Sequence, residues 1–246
     1  MIDPLNPCGE ENNWRASVHV DGGTPYAVNS VNGFNPDNTA PVIYNAGAND
    51  SITVEIIFDE TTDSLSMVTA IYTVDNAVNV LSVNYLTDKK VRVNIDPLTY
   101  LQYDIIYTVT VTGCEDCIGN TATTSKTFAL PEQGISGDLV INEILYDPRE
   151  SGADFVELYN NSNKVISLKN WVFANFSNDT IDAHEIIITE EFLLFPDEYV
   201  VFTEDATNIL YEYPLGNAAR IFEIANLPSY NNGEGTVYLI NDQNEL

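Results

Sequence analysis

Apolar and polar residues alternate with a period of two over segment after segment of this chain, and helical periodicity is almost absent. In YDIIYTVTVTG, Ile105, Tyr107, Val109 and Val111 share one face, while Thr108, Thr110 and Thr112 share the other. That is a half-buried strand with a threonine-rich outer surface. SITVEIIF gathers Ile52, Val54, Ile56 and Phe58, and VRVNID gathers Val91, Val93 and Ile95. The turn sequences NPDN, FDETTD, TDKK and IGN interrupt these runs at short intervals. Many short strands with frequent turns predict an all-β chain built as antiparallel sandwiches. One short helix is expected, in DATNILYEY (205–213), behind an acidic and polar start.

Two polar stretches divide the strands. NGFNPDNTAP (32–41) and LPEQGISGD (130–138) read as linkers, and the span between them suits one immunoglobulin-like module. The expected organisation is a leading segment at 1–37, a sandwich at 38–131 and a second at 132–246. A length of 246 residues accommodates two such domains.

The charge is lopsided: 9 Lys and Arg stand against 37 Asp and Glu, a net −28. Such a surface repels nucleic-acid phosphates and anionic membranes, so no nucleic-acid partner is expected. The acids are scattered between apolar strands, which argues against disorder. They serve solubility, with weak divalent-cation binding as the alternative reading. No apolar run reaches membrane-spanning length. MIDPLNPCGEEN has neither a basic leader region nor an apolar one, so it does not read as a signal peptide.

Of three cysteines, Cys114 and Cys117 form CEDC at a strand end, and Cys8 stands apart. A zinc site would require a second pair. The expectations are a local Cys114–Cys117 disulfide or two free thiols, with Cys8 separated from its partner.

DLVINEILYDPRESGADFVELYNNSNKVISLKNWVF (138–173) resembles the opening of the lamin tail domain found in bacterial surface and secreted proteins. The matching pieces are the INEI strand, the DFVELYN strand, the turn NNSNKVISL and the W-x-F strand. DEYVVFT and NNGEGTVYLIND match later strands. The resemblance implies a compact immunoglobulin-like sandwich. Family members end on N-W-x-A-S, then G-G-T-P, then Asn-Ser. Here that ending stands at the front, as NNWRAS (12–17), GGTP (22–25) and NS (29–30). The leading segment therefore resembles the tail of a preceding copy, with Trp14 anchoring its strand, and the last domain is expected to be truncated. An incomplete sandwich has an open edge. The leading segment is expected to fill one as a strand, preferably by exchange between molecules.

Residues 38–131 resemble bacterial Ig-like domains of the surface-layer type. The matching pieces are AP near the start, SITVEIIFDETTD, and TVTVTGCEDCIGN with its D-x-x-G-N turn at Asp116, Gly119 and Asn120. Cys114 departs from that pattern.

Glu143 alternates with Ile141 and Leu145, and Glu157 with Phe155 and Tyr159. If those apolar faces point inward, two carboxylates enter a core, where each must be hydrogen-bonded, paired or protonated. A paired-acid site of the glycosidase kind is one reading. Structural acids of the fold's own signature, alongside Trp171 and Trp14, are the other and the favoured one. His19 and His184 have no ligand or nucleophile partner in sequence. Asp59, Glu60, Asp63, Asp116 and Asn120 are calcium candidates, although turn capping explains the same residues. Because the acids are dispersed, any calcium effect is expected to be weak. GNAAR and NNGEGT are turns in a β context, not phosphate cradles.

The expected function is that of a non-catalytic segment of a larger multidomain bacterial protein, extracellular or at the surface of a Gram-negative cell. It would act as a spacer or interaction module toward a surface protein or glycan, without a cofactor. A carbohydrate-binding accessory module of a secreted hydrolase is the alternative, and would show a row of exposed aromatics on one sheet face.

Overall fold

The structure, a computed structural model, describes residues 1–6, 9–177, 180–228 and 236–243. The chain divides into two compact units, Met1–Phe128 and Ala129–Leu246. Both are immunoglobulin-like antiparallel β-sandwiches, as the alternation of the sequence predicts.

In the first unit the strands are β1 (Ile43–Asp50), β2 (Thr53–Phe58), β3 (Ile71–Val74), β4 (Val80–Thr87), β5 (Lys90–Ile95), β6 (Ile106–Glu115) and β7 (Thr121–Ala129). One sheet has the order β1-β2-β5-β4 and the other β3-β6-β7. Val54, Ile56 and Phe58 of β2 and Val91, Val93 and Ile95 of β5 are buried, as are Tyr107, Val109 and Val111 of β6. These are the faces read from the sequence. On the outer face of β6, Thr110 and Thr112 exchange hydroxyl bonds with Ser125 and Thr123. Glu55 lies between Lys90 and Arg92, each 2.7 Å away. Burial raises its carboxyl, but the two cations overcome that and bring it down to about 2. A short helix, α1 (Ser64–Thr69), was not anticipated. The Asp63 carboxylate caps it by accepting from the Leu65 and Ser66 amides.

The leading segment differs from expectation. Among the described residues before Ile43 there is no strand; Glu10–Asn13 is a 3-10 turn, and Trp14 is 63% exposed. The anchoring role expected of Trp14 is therefore corrected, as is a strand of this segment on the second sandwich of its own chain. The physical reason is a local polar knot. The Asp3 amide donates to Asn13 Oδ1, Asn13 Nδ2 donates to the Asp3 carbonyl, and Asp3 Oδ2 accepts from the Asn35 amide. Those bonds satisfy the backbone locally and leave less for an edge to offer. Amide bonds from Asn35 and Leu5 hold the Asp3 carboxyl below its usual range.

The cysteine pairing is also corrected. Cys114 is a free, buried thiol, whereas Cys117 is disulfide-bonded, so CEDC is not a local bridge. Cys114 is buried within β6, and Cys117 belongs to the turn beyond it. Cys8 lies outside the described residues. Burial pushes the Cys114 thiol up to about 11, against a hydrogen bond with Ser66 that lowers it. Because the thiolate is the reactive form, Cys114 is expected to resist alkylation at neutral pH in the native protein and to react once denatured. Mass spectrometry after iodoacetamide treatment checks this, and equal labelling in both states would contradict it.

In the second unit the strands are β8 (Leu139–Leu145), β9 (Phe155–Asn160), β10 (Ile166–Ser167), β11 (Val172–Ser177), β12 (Thr180–Ile186), β13 (Leu193–Leu194), β14 (Tyr199–Thr203), β15 (Ile221–Glu223) and β16 (Val237–Ile240). The main sheets run β15-β14-β9-β8 and β12-β11-β16, with β10-β13 as a small pair. The β14–β15 pairing is parallel. The core contains Val156, Leu158, Trp171, Phe173, Val200 and Phe202. Trp171 packs so closely on Gly134 that a Cβ there would stand 2.9 Å from the indole, so this linker position requires glycine. The expected helix is α2 (Ala206–Glu212), with Asp205 accepting from the Asn208 amide at its start.

Candidate functional site

Glu143 and Glu157 do not enter the core. Val156 and Leu158 are buried, so the inward face of β9 is the one opposite Phe155, Glu157 and Tyr159. The β8 alternation is broken by a bulge between Ile141 and Glu143. Ile141 and Ile144 both pack toward the core, and Glu143 is turned outward. The expectation that these acids sit among core side chains is corrected. The reason is that β9 is apolar on both faces, because its outer face also packs against something. That cover is α2 with the residue that caps its end: Phe155 meets Tyr213 edge-to-face at 6.0 Å.

Between α2 and the outer faces of β9 and β14 lies a cleft of about 440 Å³. Glu143, Glu157, Glu198, Tyr199, Tyr213 and Arg220 are among its lining residues. Glu143 and Glu157 are register partners on adjacent strands. Asn142 Nδ2 donates to Glu157 Oε1 at 2.7 Å. Arg220 is paired with Glu198 and lies 5.2 Å over the Phe192 ring. The Phe195 amide donates to the other Glu198 oxygen. Tyr159 and Tyr199, directly opposite in register, have rings 4.6 Å apart. Among the described residues, no histidine, serine or cysteine lines this cleft. The arrangement can hold a polar ring or a cationic group.

The calcium candidates divide between turn-capping roles and one cluster. Asp59 accepts from the Val42 amide, and Asp63 caps α1. Asp116 is buried; its Oδ1 accepts from the Ile118 and Asn120 amides and its Oδ2 from the Asn120 side chain. Gly119, at φ +94, makes that turn, and a side chain there would be strained. Asn120 thus donates to Asp116, and its side-chain Nδ2 also donates to the Asp37 carbonyl at 3.3 Å. One carboxylate oxygen each from Asp37, Glu60 and Asp116 lie within 4.8 Å of one another. Asp37, in the NPDN turn of the first linker, was not singled out in the sequence. His19 is beside Asp21 on the surface. The His184 side chain and the NNGEG turn lie outside the described residues.

Residues 133–246 match the family model of the Lamin Tail Domain. Among solved structures, the chain is similar to the N-terminal part of the bacterial S-layer protein SbsC. The identity is 18% over 58% of this chain and 37% of that one, with a TM-score of 0.33. A second similar structure is the S-layer protein rSbsC(31-844), at 16% identity over 58% of this chain and 22% of that one, with a TM-score of 0.34. The chain thus spans little more than a third of the first of these. No curated protein matches it. Among the described residues, no helix is long and apolar enough to cross a membrane.

Proposed function

We propose, with the lamin tail match over residues 133–246 as premise, that this chain is a non-catalytic structural segment of a larger bacterial protein. It works as a spacer or interaction module outside a Gram-negative cell, toward a surface protein or glycan. The observation that carries the non-catalytic reading is the state of the cleft acids. Glu157 and Glu198 are already engaged by Asn142, Arg220 and the Phe195 amide, which is how structural carboxylates are held. The disulfide at Cys117 supports an oxidising, extracellular compartment. Exchange of the leading segment between copies remains a finer form of the partner reading. It requires the Asp3–Asn13–Asn35 knot to open.

A screen against polysaccharide and ester substrates is expected to give no turnover, with Glu157→Gln the same as the parent. Turnover that Glu157→Gln abolishes would overturn the reading. Glu157→Leu removes the Asn142 bond and is expected to lower stability by about 1 kcal/mol, read by thermal melting. Location is tested by protease shaving of intact source cells, which should release peptides of this chain.

The Tyr159–Tyr199 pair, of which Tyr199 lines the cleft, favours one second reading, glycan binding there. A glycan array with Tyr199→Ala as control separates the two, since only binding that this variant abolishes supports the glycan module.

A further inference from the structure

Three segments far apart in sequence converge on one point of the first unit. Asp37 comes from the linker into β1, Glu60 from the turn after β2, and Asp116 from the turn between β6 and β7. Bringing three carboxylate oxygens within 4.8 Å is electrostatically unfavourable for like charges. Acids alone gather on many surfaces, and this chain is rich in them.

A second, independent observation points to a ligand. Asn6 is only 4% exposed, yet its Oδ1 has no hydrogen-bond partner. Its orientation is fixed, because Nδ2 donates to the Asn35 carbonyl at 2.9 Å, so the orphan atom is an acceptor oxygen and not a donor. A buried acceptor left unpaired costs about 1–3 kcal/mol. Asn6 lines a cavity of about 470 Å³ together with Asp37 and Glu60. Asp116 is not among the residues lining that cavity, but one of its carboxylate oxygens lies within 4.8 Å of those of Asp37 and Glu60. Three of the roughly four acceptor positions of its carboxylate are filled by the turn, which leaves about one for a further ligand.

We propose that Asp37, Glu60 and Asp116, with Asn6 Oδ1, form a calcium site that fastens the leading segment to the first sandwich. All four groups are hard oxygen donors, and calcium accepts six to eight such ligands in flexible geometry, with waters completing the shell. Magnesium demands a tighter octahedron and gives up its waters reluctantly, so it fits an irregular site less well. The ion bridges residues on either side of the junction between the linker and β1. It therefore sets how rigidly the sandwich is joined to what precedes it, a mechanical role that goes beyond the spacer reading.

Calorimetric titration of the full chain with calcium chloride tests the site. One ion per chain is expected, with a dissociation constant on the order of 10⁻⁴ M, as in extracellular modules. Calcium should raise the melting temperature of the first unit, and magnesium at equal concentration should raise it less. Asp37→Asn and Glu60→Gln, which keep shape and remove charge, should each weaken binding at least about tenfold. The exposed Glu150→Gln should leave it unchanged. No saturable heat at millimolar calcium would overturn the proposal. So would Asp37→Asn and Glu60→Gln variants that bind like the parent, since the ion would then sit among other acids.

Discussion

Asn160→Leu is expected to destabilise the second unit by about 3–5 kcal/mol, at two buried carbonyls and one amide left unpaired. Asn160 has 0% exposure and makes four side-chain hydrogen bonds. Its Nδ2 donates to the Lys164 carbonyl at 2.8 Å and to the Leu194 carbonyl at 2.9 Å. Its Oδ1 accepts from the Ser162 amide and hydroxyl. One side chain thereby closes the NNSNK turn and ties it to β13. Leucine has the volume but none of the bonds, and the buried Leu194 strand gives water little access. Ser162→Ala removes two bonds, the one its hydroxyl donates to Asn160 Oδ1 and the one it accepts from the Lys164 amide, and keeps the Ser162 amide contact, so it should cost about 1–2 kcal/mol. Scanning calorimetry should place the Asn160→Leu transition roughly 10 °C or more below the parent. A loss no larger than that of Ser162→Ala would show that the turn does not depend on Asn160.

The same residue shows what a sequence discloses. NNSNK is legible as a turn from its composition. That its first asparagine is buried and satisfies two carbonyls is not, because one of them belongs to Leu194, far along the chain. In the first unit the strand faces were legible, since β2, β5 and β6 are apolar on one side only. On β9 they were not. Phe155 and Tyr159 match Val156 and Leu158 in hydrophobicity, and the bulge in β8 moves Glu143 outward without a glycine to signal it. The cleft exists because α2 covers the outer face, a packing choice that period-two alternation cannot encode. The acid cluster was half legible. Glu60 and Asp116 carried the right chemistry, but Asp37 was hidden in a linker whose proline and asparagines describe only a turn. Asn6 was hidden further, as an orphan acceptor is a property of its neighbours. The cysteines misled for a related reason: a short spacing suggests a local bridge, whereas β6 carries Cys114 into the core before the turn begins.

Phe202→Ala is expected to cost the second unit about 3–5 kcal/mol, the range for deleting a buried ring. Phe202 lies on the inner face of β14 and is fully buried. It meets Phe173 of the opposing sheet edge-to-face at 5.5 Å and stacks on Phe222 of β15 at 5.9 Å. Phe222 in turn meets Phe192 at 4.6 Å, and Arg220 covers that ring. Removing the central ring leaves a cavity between two sheets that cannot collapse without moving strands, and each lost aromatic pair adds about 0.5–1.5 kcal/mol. Phe202→Leu fills part of the space and should cost about 1–2 kcal/mol less than Phe202→Ala. Tyr199, three residues earlier on the other face and 47% exposed, provides the contrast. Tyr199→Ala should cost under about 1 kcal/mol, since an exposed ring loses little burial. Urea denaturation of the three variants measures the differences. A Phe202→Ala loss close to that of Tyr199→Ala would mean that β14 does not present its faces as described. The cleft beneath α2 would then lose its floor, because the outward direction of Glu157, Tyr199 and Val201 depends on Val156, Val200 and Phe202 pointing in.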